Sequence, residues 1–208
     1  MRVLAGSEKS GDLRQSELRR HLQMISRCVE AAKAGSSLTM ILRSAESDPA
    51  KALIGMKGAL QRVGTRAKVI LARLEPEDDL KQLFASLSEL APQEPAPELI
   101  RWARNPRLLD AHEQVTYGET MCWSGDAMRR DADRRNALTL FDEEAPDTVR
   151  LGRLAFGALW AVSALVPERR LLGPATARPS GAFQPDQDAP VAVSPLRPSL
   201  QGWPLIRH

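Results

Sequence analysis

The spacing of apolar residues predicts helices in the first half of the chain. From residue 12 to residue 32 the apolar positions recur at steps of three and four, which is typical of one helix face. Asp48-Pro49 begins a second amphipathic segment with a cap followed by proline at the first helical position. A third covers residues 77 to 90 and carries acidic residues in its first turn, where the helix dipole favours them.

Two short apolar runs without polar alternation lie between these helices, at residues 37 to 42 and 68 to 72. Such runs are typical of strands buried on both faces of a sheet. A strand, helix and strand in this order predict two parallel strands joined by a right-handed crossover. The chain is therefore expected to fold around an α/β sheet.

The second half continues with shorter elements. Alternating apolar residues on either side of Gly118-Glu119 predict a hairpin, and residues 136 to 141 predict another strand. Residues 99 to 104 are interpreted as one or two helical turns. A long helix is predicted from the acidic turn at Asp142 through Leu165, and its expected buried side consists of Leu151, Leu154, Ala155, Ala158, Leu159 and Val162.

The last 42 residues have a different composition from the rest of the chain. They hold eight of the fifteen prolines and no lysine, and they show no apolar period. We interpret residues 167–208 as a disordered or draped Pro-rich C-terminal tail, residues 12–166 as the domain, and residues 1–11 as a flexible N-terminus. The tail ends in an apolar cluster of Trp203, Leu205 and Ile206. This cluster predicts a segment that docks onto a groove of the chain's own fold or onto a partner.

Composition narrows the class of protein. No apolar run approaches the roughly 20 residues that cross a bilayer, and no apolar stretch of signal-peptide length follows the first basic residue, so we expect neither a membrane span nor a secretory signal. Cys28 and Cys122 are too few for a disulfide framework and are interpreted as reduced core residues. Arginine outnumbers lysine 23 to 6, which is typical of a GC-rich bacterial genome. A bacterial cytoplasmic protein is the expectation.

Charge and motifs give few positive indications of chemistry. The net charge is only +3, with 29 basic and 26 acidic residues. Three scattered histidines and two distant cysteines match no zinc spacing, and no glycine-rich phosphate loop is present, so neither a metal nor a cofactor is predicted. One charged run is interpreted as a solvated helix face or, alternatively, as an anion contact through Arg129, Arg130, Arg134 and Arg135.

At His112 the sequence resembles the phospholipase D superfamily. The family motif begins with a histidine and a lysine two positions later. Four residues separate that lysine from an acidic residue, and Gly-Ser-any-Asn follows further along the chain. Residues 112 to 119 resemble its first half, with His112 and Glu119 at the histidine and acid positions, and Gly125-Asp126-Ala127-Met128 resembles its second half. The resemblance implies a phospholipase D-like α/β fold, a mixed sheet flanked by helices, in a single repeat, and it implies a homodimer.

The departures from that motif concern the groups that hold phosphate. In active members the histidine attacks phosphorus while lysine, serine and asparagine side chains stabilise the charge of the transition state. Here those three positions are Gln114, Asp126 and Met128. Losing one such donor costs on the order of 100- to 1000-fold in rate. The motif is degenerate, and the resemblance implies a pseudoenzyme.

Three function classes follow. The leading hypothesis is a catalytically inactive phospholipase D-like domain that acts as a protein-interaction or regulatory module with an unidentified protein partner. The first alternative is a phosphodiesterase or phosphatidyltransferase that uses His112 as nucleophile, with Glu119 beside it in the motif, in a homodimer that joins the two His112 regions. The second alternative is a nucleic-acid-binding module.

Overall fold

A mixed sheet organises the part of the chain that the computed structural model describes, which covers residues 5–32, 35–104, 112–128 and 139–172, with residues 5–14 as backbone only. The described residues form seven strands: β1 (Ser37–Leu42), β2 (Arg66–Leu71), β3 (Ile100–Trp102), β4 (Glu113–Tyr117), β5 (Met121–Gly125), β6 (Thr139–Asp142) and β7 (Ala164–Leu165). Their order in the sheet is β6-β5-β4-β1-β2-β3-β7. Strands β1, β2 and β3 are parallel, and every other pairing is antiparallel.

Helices flank this sheet and connect its strands. They are α1 (Ala5–Glu30), α2 (Asp48–Arg62), α3 (Glu77–Leu90), α4 (Ala96–Leu99), α5 (Pro146–Val162) and α6 (Glu168–Leu171). A mixed sheet flanked by helices is the predicted fold class, and the prediction is confirmed at that level. Within the described ranges, no helix is long and apolar enough to span a bilayer.

The parallel unit β1-α2-β2 forms where the sequence predicts it. Pro49 lies in the first turn of α2, where its missing N–H leaves no hydrogen bond unmade. Gly64 follows the helix with φ of +68°, a conformation that glycine adopts without strain. Strands β1 and β2 then pair in register from Ser37 with Arg66 to Leu42 with Leu71.

The two faces of the sheet are covered unequally. The face under α1, α2 and α3 carries the main core, to which alternate residues of β1 and β2 contribute, among them Met40 and Val69. The opposite face carries a smaller cluster of Ile41, Ile70 and Phe156, the last from α5. One side of the sheet is therefore much more thickly packed than the other.

Three boundaries differ from those predicted. Helix α1 begins at Ala5, ahead of Asp12, because extending a formed helix through polar residues costs far less than starting one. Residues 100 to 102 form a strand rather than helical turns, since they pair with β2 on one side and β7 on the other. Leu171 of α6 is buried in the main core, so the packed part of the chain continues past residue 166.

The predicted buried face of α5 is wrong. The residues that pack inward are Val149, Gly152 and Phe156, whereas Leu159 is only partly buried. The other residues of the predicted face are exposed, namely Leu151, Leu154, Ala155, Ala158 and Val162. Periodicity finds the apolar side of a helix but does not say what covers it.

Candidate functional site

The segment that resembles the phospholipase D motif lies at one edge of the sheet. Strands β1, β2 and β3 are parallel, so their carboxyl ends share this edge, and β4 begins there because it runs antiparallel to β1. Strand β5 ends at the same edge. Crevices outside the carboxyl ends of parallel strands are the usual ligand sites of open α/β sheets. We call the group of His112, Glu113, Asp126 and Arg43 the carboxyl-edge site.

The structure brings His112 and Asp126 to neighbouring positions. Glu113 pairs with Gly125 across β4 and β5. His112 precedes Glu113 and Asp126 follows Gly125, so both lie one residue beyond this pair. His112 is exposed, whereas Asp126 is 1% exposed. A buried carboxylate therefore occupies the position next to the exposed histidine.

Glu113 is a second buried carboxylate in this site, and it is only 3% exposed. Its Oε1 atom accepts hydrogen bonds from the backbone N–H of Arg43 and the hydroxyl of Ser47, each at 2.7 Å. Burial raises the pKa of Glu113, and these two hydrogen bonds oppose part of that rise. Sequence reasoning missed Glu113, although it alternates with the buried residues Val115 and Tyr117 along β4.

Several carboxyl groups and an arginine set the electrostatics of the neighbourhood. Burial raises the pKa of Glu17, the hydrogen bond from Thr139 lowers it, and the charges of Asp48 and Asp126 raise it further. Arg43 supplies a cation, and its Nη1 atom donates to the carbonyl of Ala127 at 3.4 Å. An anionic ligand at His112 would approach the buried carboxyl groups of Glu113 and Asp126 as well as the guanidinium of Arg43.

The lysine and asparagine positions of the motif are occupied by residues that pack inside the domain. Gln114 is half-buried beneath α5, where a Cβ added to Gly152 would lie 2.8 Å from the Gln114 Nε2 atom. Met128 packs against the apolar cluster that contains Ile41 and Phe156. Neither side chain offers a charged donor to a phosphate.

Glu119 is separated from His112. It lies in the turn between β4 and β5, at the far end of β4, which is roughly 15 to 20 Å long at about 3.3 Å per residue. There it lines an open cleft of about 300 Å³ together with Pro146, Val149, Arg150, Arg153 and Leu154. Arg153 holds the same turn by donating to the carbonyl of Gly118 at 2.6 Å.

A buried polar group joins α1 to β4, and sequence reasoning did not find it. His21 is fully buried, and its Nδ1 atom lies 2.5 Å from the Tyr117 hydroxyl. The rings of Trp123 and Phe141 pack around it, with centroids at 4.6 and 4.9 Å. Burial lowers the pKa of His21 to about 3, so the imidazole is neutral at physiological pH.

The remaining predicted site residues lie outside the described part of the chain. They are Arg129, Arg130, Arg134, Arg135, Trp203, Leu205 and Ile206. Within the described ranges, no group of three His, Cys, Asp or Glu side chains is placed to hold a metal ion. Cys28 and Cys122 are both buried and free, in agreement with their interpretation as reduced core residues.

Comparison with known proteins gives one structural likeness. No protein-family model matches the chain, and no curated protein sequence matches it. The crystal structure of a phospholipase D family member, Nuc from Salmonella typhimurium, is similar with 13% identity and a TM-score of 0.41, covering 70% of this chain and 89% of that chain. At this identity and TM-score the likeness assigns neither a family nor an activity to the chain.

Proposed function

We propose that the chain is a phospholipase D-like domain that has lost phosphodiester chemistry and acts as a protein-interaction or regulatory module. The observation that carries the proposal is the pair of buried carboxylates beside His112. Glu113 and Asp126 are 3% and 1% exposed and lie at the edge where a phosphate would have to sit. A phosphoryl group transferred at His112 needs cationic or neutral donors around it, and carboxylates repel it.

Gln114 lies on the opposite face of β4 from Glu113, and its position supports the same proposal. Its carboxamide lies against Gly152 of α5, so the space that a longer, charged side chain would need is already filled. Restoring the family residue by Gln114→Lys would place an ammonium group under the helix rather than beside a substrate. A single substitution is therefore not expected to restore activity.

Turnover of an activated phosphodiester, such as bis-4-nitrophenyl phosphate, tests this proposal. Wild type, His112→Ala and Gln114→Lys are compared at equal concentration after one purification procedure. The proposal requires that all three give the same background rate. Turnover by the wild type that disappears in His112→Ala would establish the alternative, a phosphodiesterase or phosphatidyltransferase.

A second candidate function, nucleic-acid binding, is favoured by exposed arginines at the carboxyl edge. Arg73 and Arg104 each lie two residues beyond the paired residues Leu71 and Trp102, so they are neighbours on adjacent strands. Among the described residues neither forms an ion pair with a carboxylate. Two such cations at one edge offer contacts to a phosphate backbone.

Salt-dependent binding of duplex DNA and of single-stranded RNA distinguishes this candidate. If the arginines contact phosphates, Arg73→Glu/Arg104→Glu weakens binding and lowers the slope of log K against log salt by about 1 for each lost contact. The matched control is Arg62→Glu at the end of α2, which is exposed and leaves the carboxyl edge unchanged. If neither nucleic acid binds at about 50 mM salt, nucleic-acid binding is excluded as the function.

The apolar end of the chain belongs to the interaction hypothesis. Trp203, Leu205 and Ile206 combine an aromatic anchor with two aliphatic side chains, a composition typical of docking segments. We propose that this end contacts a partner protein. Deletion of residues 199–208 should leave the melting temperature unchanged and weaken capture of the partner.

A further inference from the structure

Helix α5 presents an apolar face that nothing in the described part of the chain covers. Leu151, Leu154 and Val162 are 59, 65 and 62% exposed. Ala155 and Ala158 lie between them along the helix and are exposed too. We call these five residues the α5 face. Contiguous apolar surface of this kind usually marks an interaction site.

The pattern of the α5 face repeats when the helix is read from either end. Two small residues, Ala155 and Ala158, lie at the middle, and a large residue lies four positions outward on each side, Leu151 and Val162. A two-fold axis between the alanines would set Leu151 against Val162 of the partner subunit. The same axis would set Ala155 against the partner subunit's Ala158, where small side chains allow close approach. An isologous interface needs this self-complementarity.

The open cleft that Glu119 lines, beside the first half of α5, offers a concave surface to the helix of a second subunit. Its walls include Val149, Arg150 and Leu154, at the N-terminal half of the helix. In an antiparallel pair, the C-terminal end of the partner's α5 approaches this cleft, with the partner subunit's Val162 and the exposed Leu165 that follows it. Antiparallel helices also place the positive end of each dipole near the negative end of the other.

We propose that the occupant of the α5 face is a second copy of this chain, in an antiparallel two-fold pair of α5 helices. This inference does not depend on the loss of catalysis. Helix α5 is about 25 Å long and about 10 Å wide, so pairing removes a few hundred Å² from each subunit, near or below the lower limit for stable interfaces. An interface of this size is expected to give a weak dimer.

This interface differs from the pairing implied by the phospholipase D resemblance. Helix α5 starts beside the turn between β4 and β5, because the backbone N–H of Ala145 donates to the carbonyl of Thr120. That turn lies at the opposite edge of the sheet from His112. Pairing through α5 therefore does not bring the two His112 regions together.

Sedimentation velocity of the full chain over about 1 to 200 µM tests the proposal. The wild type should shift from a mass near 22.9 kDa towards twice that value. Leu151→Glu/Leu154→Glu should remain monomeric with unchanged circular dichroism, because both side chains are already exposed in the monomer. Leu172→Glu, which changes a leucine that is 57% exposed outside the α5 face, should dimerise like the wild type.

Cysteine cross-linking identifies the surface independently. Cys28 and Cys122 are buried, so a newly introduced surface thiol is the reactive one. Ala158→Cys should give a disulfide-linked dimer on mild oxidation, whereas Ala85→Cys on exposed α3 surface should not. A monomeric wild type at about 200 µM would overturn the proposal. It would also fail if the double glutamate variant dimerised, or if His112→Cys cross-linked while Ala158→Cys did not.

Discussion

The Nδ1 atom of His21 in α1 lies 2.5 Å from the hydroxyl oxygen of Tyr117 in β4, and both side chains are fully buried. The contact links residues 96 positions apart. It fixes the first helix on the half of the sheet that carries His112. Because burial lowers the pKa of His21 and raises that of Tyr117, both groups stay neutral across the physiological range.

The stability of the fold should depend on His21 in acid. Between pH 3 and 6.5 the unfolded chain binds a proton at His21 that the folded chain does not, so the free energy of unfolding falls as the pH falls. The loss has a limit of about 1.4 kcal/mol per pH unit. His21→Phe should be about 1 to 3 kcal/mol less stable than wild type at pH 7, because Tyr117 loses its partner, and the difference should narrow below pH 6.5.

Urea unfolding at pH 7, 6, 5 and 4 checks this expectation. Tyr117→Phe is the matched control, since it removes the same hydrogen bond but keeps the buried imidazole. Its stability should follow the wild-type slope with pH at a lower level. Equal slopes for His21→Phe and Tyr117→Phe would refute the role of His21.

Glu113→Gln should stabilise the protein at neutral pH. The raised pKa means that the folded chain holds the carboxyl proton at pH values where the unfolded chain has released it, so stability decreases as the pH rises from 4.5 through the folded-state value. Glutamine removes the buried charge, and its carbonyl can still accept the hydrogen bonds from Arg43 and Ser47. The gain over wild type should shrink as the pH is lowered towards 4.5.

Chemical denaturation at pH 7 and pH 4.5 measures that gain. Glu119→Gln, which changes an exposed carboxylate in the turn after β4, should alter stability by less than about 0.5 kcal/mol. A Glu113→Gln variant that is less stable than wild type at pH 7 would show that the charge stabilises the fold.

Two glycines of α5 should respond differently to alanine. A Cβ at Gly157 meets nothing within 4 Å, so Gly157→Ala should stabilise by about 0.5 to 1 kcal/mol through helix propensity. A Cβ at Gly152 would lie 2.8 Å from Gln114 Nε2, so the carboxamide must move and Gly152→Ala should gain less or lose stability. Thermal melts of both variants give the comparison.

Truncation of Gln114 isolates the cause of that difference. In a Gln114→Ala background, Gly152→Ala should stabilise as Gly157→Ala does. The two sites should then show a coupling energy of about 0.5 kcal/mol or more in a double-mutant cycle. Additive effects would mean that Gln114 does not occupy the space beneath α5.

Local patterns in the sequence predicted much of the fold. Strand β1 and the hairpin of β4 and β5 have apolar patterns that match their pairing, and α3 was predicted at residues 77 to 90 and runs from Glu77 to Leu90. Strand β3 is only three residues long and exists because β2 and β7 flank it, so no local signal identifies it. The exposed side of α5 has the periodicity of a buried one, and periodicity cannot separate a core from an interface.

The candidate site was less predictable than the fold. The motif resemblance identified His112 and Asp126, which register then places side by side. Glu113 acquires its importance from contacts with Arg43 and Ser47, residues about 70 positions away. The spacing of residues along the sequence does not reveal hydrogen-bond partners that are so distant in the chain.

Whether His112 is a nucleophile can be measured directly by intact-mass spectrometry of the protein, denatured at alkaline pH at intervals during incubation with an activated phosphodiester, because a phosphorus–nitrogen bond on histidine is hydrolysed in acid. We expect one species near 22.9 kDa at every time point, identical for wild type and His112→Ala. A phosphoryl adduct on the wild type that is absent from His112→Ala would contradict the proposed loss of catalysis.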